Sequence, residues 1–224
     1  TDFDSSMVRY GKGALGGKGR GFRFLHSVSD KFGLQTIIPE LRISVPNCFV
    51  LATEVFDRFL DENQMRQAAL EATADEELVK LFDAAPLPAD VSAELQKYVA
   101  QVGCSAARIS SRLPHPAHTP AHTRLIPHPV AQVGAPIAVR SSSMFEDAFL
   151  QPFAGVYSSF MLPNDGGEEQ RLAQLEGAVK RVYASTFCQA ARGYIASTQN
   201  RLEEEKMAII VQELVGDCLL YTSP

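Results

Sequence analysis

The sequence predicts a mixed α/β (α+β) domain in which helices cover a small sheet. Three observations carry this. A glycine-rich loop at 11–21 passes directly into helical periodicity. Short β-type apolar runs recur at 43–51, 136–139 and 207–215. Between them lie amphipathic stretches with apolar residues three and four apart. With 224 residues, 46% of them hydrophobic, the chain has enough apolar surface for one sizeable core.

The loop GKGALGGKGRG carries Lys12, Lys18 and Arg20. Such loops let backbone N–H groups close on an anion, and lysine adds a point charge. Phe22, Leu25, Val28 and Phe32 then recur at helical intervals, and Gly33 ends the helix as a left-handed cap. The loop therefore lies beside a helix N-terminus, where phosphates are favoured. ISVPNCFVL at 43–51 predicts a strand interrupted at Pro46. Thr53 is placed to N-cap a helix whose Val55, Phe56, Phe59 and Leu60 form one stripe. Residues 64–102 are mostly helical in pattern, broken near APLPAD.

PIAV at 136–139 predicts a buried strand running into Arg140 and three serines. PFAGVYSSFML predicts a second strand, opened by a turn at Ala154 and Gly155. Residues 168–190 follow as a helix on Leu172, Leu175, Val179, Val182 and Phe187, continuing through Tyr194 and Ile195. NRLEEEK reads as a solvated charged stretch. MAIIVQELV is apolar enough to be a central strand.

Residues 104–134 differ in kind. They hold four of the five histidines and five of the thirteen prolines, with no acidic residue and no periodicity. VAQVG stands at 99–103 and again at 130–134, an offset of 130 − 99 = 31 residues. Removing one offset joins KYVAQVG to APIAVRSSS, a short helix-to-strand connection normal for an α/β unit. The segment therefore reads as an insertion into a compact domain spanning 1–216, and as a disordered surface loop. A histidine metal site is the alternative, but the Pro-His alternation offers no frame to aim the ligands. Residues 217–224 resemble translated adapter sequence and are set outside the domain.

Several function classes lose support. A net charge of −5 gives no basic face for nucleic acid. No apolar run is long enough for a membrane span, and no signal-peptide layout opens the chain. Cys48, Cys104, Cys188 and Cys218 lack C-x-x-C spacing and read as reduced structural thiols, in keeping with a cytoplasmic or organellar setting.

GKGALG fits G-x-G-x-x-G, but only MVRY precedes it as a strand, so a dinucleotide-binding oxidoreductase stays a minor alternative. A P-loop fails, because Lys12 and Gly19 occupy its glycine and Ser/Thr positions. A flexible loop with no ligand is the bland reading. In VRSSSMFED, an arginine at a strand end followed by hydroxyls suits a polyphosphate. A surface ion pair of Arg140 with Glu146 or Asp147 is the competing reading.

Taken together, GGKGRG at 16–21, VP-N-CFVLATEVFDRFL at 45–60, PIAVRSSSMFED at 136–147, QPFAGVYSSFMLPN at 151–164 and MAIIVQELV at 207–215 occur in a familiar order. In these blocks the chain resembles the N-terminal nucleotide-binding domain of pyruvate phosphate dikinases and phosphoenolpyruvate synthases. The resemblance implies an ATP-grasp-like fold, present in part, with ATP held between two lobes. It implies that Lys18, in the Gly16, Gly17, Gly19 loop, and Arg140 with Ser141 contact phosphates and carry the catalytic charge. Ala154, Gly155 and Ser159 match a phosphate-covering turn. Gln212, Glu213 and Val215 match the segment that meets adenine. It further implies transfer to a histidine on a separate domain and then to pyruvate or another acceptor. Magnesium is expected, with ligands outside this chain. A non-catalytic nucleotide-binding or regulatory module is the other reading.

Overall fold

The computed structural model describes residues 7–33, 45–110, 135–145 and 155–214. Five strands form one sheet: β1 (Met7–Tyr10), β2 (Cys48–Leu51), β3 (Ile137–Ser143), β4 (Ser159–Leu162) and β5 (Met207–Glu213), in the order β1-β2-β5-β3-β4. β1 and β2 run parallel and the other neighbours antiparallel. The last strand in sequence is the middle strand in space, as its unbroken apolar run predicts.

Among the described residues, one face of the sheet meets a single helix, α1 (Gly16–Phe32). Leu15, Cys48, Val50 and Ile210 form the small apolar cluster between them. The other face carries the main core. Against it lie α2 (Thr53–Glu62), α3 (Arg66–Glu71), α4 (Asp75–Ala84), α5 (Ala89–Ser110), α6 (Glu168–Ser185) and α7 (Gln189–Ala196). Phe49, Leu51, Val139, Ile209 and Val211 point into this core, as the two-residue period of a strand requires. Phe56 and Phe59 pack on Tyr183 with ring centroids 5.2 and 5.6 Å apart, within the range of favourable aromatic pairs.

Four details depart from the sequence reading. Leu25 is 52% and Phe32 61% exposed, so this part of the apolar stripe expected on α1 does not face the sheet, while Phe22 packs partly buried against it. Gly16, Gly19, His26 and Ser29 face it instead, because the helix approaches β3 closely through its small residues. Thr53 is the first residue of α2 rather than its cap, which is Ala52. Glu205, inside the stretch read as solvated, is 2% exposed. The helix expected over 168–190 breaks at Thr186 and resumes as α7. In addition, α5 runs to Ser110, into the segment read as an insertion, while residues 111–134 lie outside the described residues.

Candidate functional site

The glycine-rich loop leads out of β1 and is held by α2. The Thr53 hydroxyl accepts the Ala14 N–H at 2.9 Å, and Glu54 N–H donates to the Lys12 carbonyl at 3.2 Å. Gly13 has a φ of 89°, and a Cβ there would stand 2.5 Å from the Thr53 Oγ1, so only glycine lets the loop lie this close to α2. Arg9 closes the turn from the other side, donating to the Gly11 and Gly13 carbonyls at 3.0 and 2.9 Å.

The loop then becomes the first turn of α1, seated on β3. A Cβ on Gly16 would lie 1.8 Å from the Ser142 carbonyl oxygen. The Ser142 hydroxyl accepts the Gly19 N–H at 2.9 Å and donates to the Leu15 carbonyl at 2.7 Å. It thus bridges the Gly19 N–H and the Leu15 carbonyl, tying the first turn of the helix to the strand. Glycines that the sequence offered as an anion cradle are also what allows the helix to touch the strand.

This contact brings Lys18 to β3. Its ammonium donates to the Ser141 carbonyl at 3.1 Å and lies 3.3 Å from the Ser141 hydroxyl. Arg140 is the next residue, half-buried, and its guanidinium donates to Gln212 Oε1 at 3.4 Å. Ser159 stands opposite Arg140 in the β3–β4 register and is exposed. Strand alternation puts Arg140, Gln212 and Ser159 on the α1 side of the sheet. Lys18 reaches Ser141, which is next to Arg140 in the chain but alternates to the other side. Glu213 faces the opposite side, toward Tyr98, where burial raises its carboxyl above the ordinary range. Gly155 opens the turn before β4 with a φ of 76°. Ala154 and Val215 lie outside the described residues, as do Glu146 and Asp147.

Two residues of this architecture have roles that no motif assigned. Ser142 locks the helix to the strand. Glu205 locks the serine strand to the turn: its carboxylate accepts from the Ser143 hydroxyl at 2.8 Å, the Tyr157 hydroxyl at 2.6 Å and the Met144 N–H at 3.2 Å. Burial pushes this carboxyl upward, against the pull of those hydrogen bonds. The same turn is tied to α6, where the Ser185 hydroxyl accepts the Ser158 N–H at 3.1 Å.

Among the described residues, a five-stranded mixed sheet covered by helices, with a glycine-rich helix start seated on β3, is a mixed α/β fold of ATP-grasp-like type. Residues 120–219 match the family described as pyruvate phosphate dikinase, AMP/ATP-binding domain. The matched stretch takes in Arg140, Ser141, Gly155, Ser159, Gln212 and Glu213 but not Lys18, which the structure joins to it through Ser141. No curated protein matches the chain. Among the described residues, no helix is long and apolar enough to cross a membrane. Cys48 and Cys188 are free thiols, and burial raises Cys48 to about 11, out of the reactive range.

Proposed function

We propose that this chain grips the phosphates of ATP in a dikinase or synthase-like phosphotransferase, with Lys18 and Arg140 as the fixed positive charges. The observation that supports it most is the Lys18–Ser141 contact, which sets the loop lysine beside the strand arginine. The donor set fits the group. An ammonium, a guanidinium and serine hydroxyls suit phosphate oxygens, and the Glu213 carboxyl belongs to the other face of the sheet.

In this reading bound ATP supplies a phosphoryl group to a histidine on a separate domain, and from there to pyruvate or another acceptor. The work of this chain is positioning and charge neutralisation. Lys18 and Arg140 bind phosphate oxygens, Ser141 and Ser159 orient them, and the turn at Ala154 and Gly155 covers them. The backbone groups of the segment that carries Gln212, Glu213 and Val215 meet the base. Magnesium belongs to the reading, but among the described residues no group of His, Cys, Asp or Glu side chains is placed to hold a metal ion. Its ligands are proposed to lie elsewhere in the protein.

Calorimetric titration of the chain with ATP tests the reading. Lys18→Ala and Arg140→Ala are each expected to weaken ATP by about tenfold or more, the scale of a lost charge-assisted contact. Unchanged ATP affinity in both folded variants overturns it.

A further inference from the structure

Glu205 is the most deeply buried carboxylate among the described residues. It stands two residues before β5, just past the point where the β3–β5 ladder ends at Ser143 and Met207. One of its oxygens accepts the Met144 N–H at 3.2 Å and the Lys206 N–H at 2.8 Å. The other accepts the Ser143 hydroxyl at 2.8 Å and the Tyr157 hydroxyl at 2.6 Å. A carboxylate taken out of water is costly unless its lone pairs are filled, and an apolar residue of similar size would avoid that cost. The place of Glu205 is explained by what it joins.

On one side is the end of β3, the strand that carries Arg140 and Ser141. On the other is the turn that delivers Ser159 opposite Arg140. This turn has an exposed tip at Gly155, where an added Cβ would meet nothing within 4 Å, and a buried root at Tyr157. The root has a second anchor. The Ser158 N–H donates to the Ser185 hydroxyl at 3.1 Å, and Ser185 is itself buried on α6. Tyr157 and Ser158 are thus pinned by two residues that take no part in phosphate binding themselves. A site loses less freedom on binding when its walls are already ordered.

We infer that Glu205 is a positioning residue of the phosphate site: through Tyr157 and Ser143 it fixes the turn at 155–158 relative to the arginine–serine strand β3. The inference rests on the ATP reading above and adds to it the residue that sets the turn. The contacts make a specific chemical demand. Main-chain N–H groups only donate, whereas hydroxyls both donate and accept. Glutamine in this place keeps its oxygen for Met144 and Lys206 and offers its amide to Ser143 and Tyr157, whose hydroxyls turn round to accept. Leucine fills the volume and holds none of the four donors.

Calorimetric titration with ATP, paired with amide hydrogen exchange at Ser158, tests the assignment. Glu205→Leu is expected to weaken ATP about tenfold, and Glu205→Gln to return to within about twofold of wild type. Tyr157→Phe removes one hydroxyl link and is expected to weaken ATP about threefold, with no further loss when added to Glu205→Leu. Ser158 N–H exchange is expected to quicken in Glu205→Leu and to stay native in Glu205→Gln. Lys180→Ala frees the Asp83 and Ala85 carbonyls at the end of α4, and is expected to lower the melting temperature while leaving ATP affinity unchanged. If Glu205→Leu does not fold, Tyr157→Phe alone carries the same test. Unchanged ATP affinity in the folded variants overturns the inference, as does an equal loss in Lys180→Ala. Ser158 exchange indifferent to Glu205 overturns it whether or not ATP binds. ATP binding indifferent to both Lys18→Ala and Arg140→Ala overturns the ATP reading instead.

Discussion

Glu205 concentrates the consequences of single residues. Its carboxylate is buried and holds donors from the end of β3 and from the turn before β4. Glu205→Ala leaves those donors without an acceptor in the interior, and a loss of about 2–4 kcal/mol is expected in urea unfolding. Its pH behaviour has a definite sign. Burial raises the folded-state pKa above that of the unfolded chain, so the folded state holds the proton longer. The stabilising contribution of protonation is complete below the ordinary carboxylate pKa and is lost as pH rises through the raised one. Glu205→Gln stays neutral throughout, so wild type is expected to lose stability relative to this variant as pH rises from the ordinary carboxylate pKa through the raised one. A constant difference across that range would rule out the raised carboxyl. Asp90 has the opposite sign. Arg58 and the Tyr10 hydroxyl hold it below the usual carboxylate range, and that support fades only in acid. None of this was legible in LEEEK, where three adjacent glutamates look alike and only the tertiary fold buries one of them.

At the scale of elements, the packing of α1 on β3 organises the candidate site. The two are joined by hydrogen bonds between residues 123 apart in sequence. This is why the sequence showed Lys18 and Arg140 as suitable chemistry but not Ser142 as the link between them. The strand order had a local signal, since Met207–Glu213 is apolar enough to be central. The orientation of α1 had a misleading one, because Leu25 and Phe32 advertise a core face while the glycines decide which side can approach the sheet. Two substitutions separate these effects. Gly16 has a φ of 67° and no room for a Cβ beside the Ser142 carbonyl. Gly16→Ala is expected to cost about 2 kcal/mol or more and to lower ATP affinity by displacing Lys18. Gly21 lies in the same helix with nothing within 4 Å of an added Cβ. Gly21→Ala is expected to stabilise by about 0.5–1 kcal/mol through helix propensity alone. Thermal melts of the pair check both signs. A neutral Gly16→Ala would mean that α1 does not depend on this close approach.

For the whole molecule, the question is whether residues 104–134 belong to the domain's architecture. Both flanks of the segment are tied down by contacts that do not involve it. Arg171 donates to the Val99 carbonyl at 3.2 Å, Asn164 donates to the Ala135 carbonyl at 2.9 Å, and Leu214 N–H donates to the Pro136 carbonyl at 2.8 Å. Nothing in CSAARIS breaks a helix, so α5 continues past Gly103, and the first proline comes only at Pro114. The family match begins at residue 120, so its edge falls inside the segment as well. If the repeated VAQVG marks an insertion, deleting 104–134 rejoins α5 to β3 through one glycine and leaves the sheet order β1-β2-β5-β3-β4 intact. Shortening a connection lowers its closure entropy by only a fraction of a kcal/mol to about 1 kcal/mol, so the melting temperature is expected to stay level or rise by a few degrees. The deletion removes a Pro/His-rich stretch without a carboxylate, so solubility is expected to improve. Circular dichroism melts and limited proteolysis of the two chains decide the matter. Loss of cooperative unfolding on deletion, or a protease-resistant 104–134 fragment from the intact chain, would show the segment to be part of the packed domain.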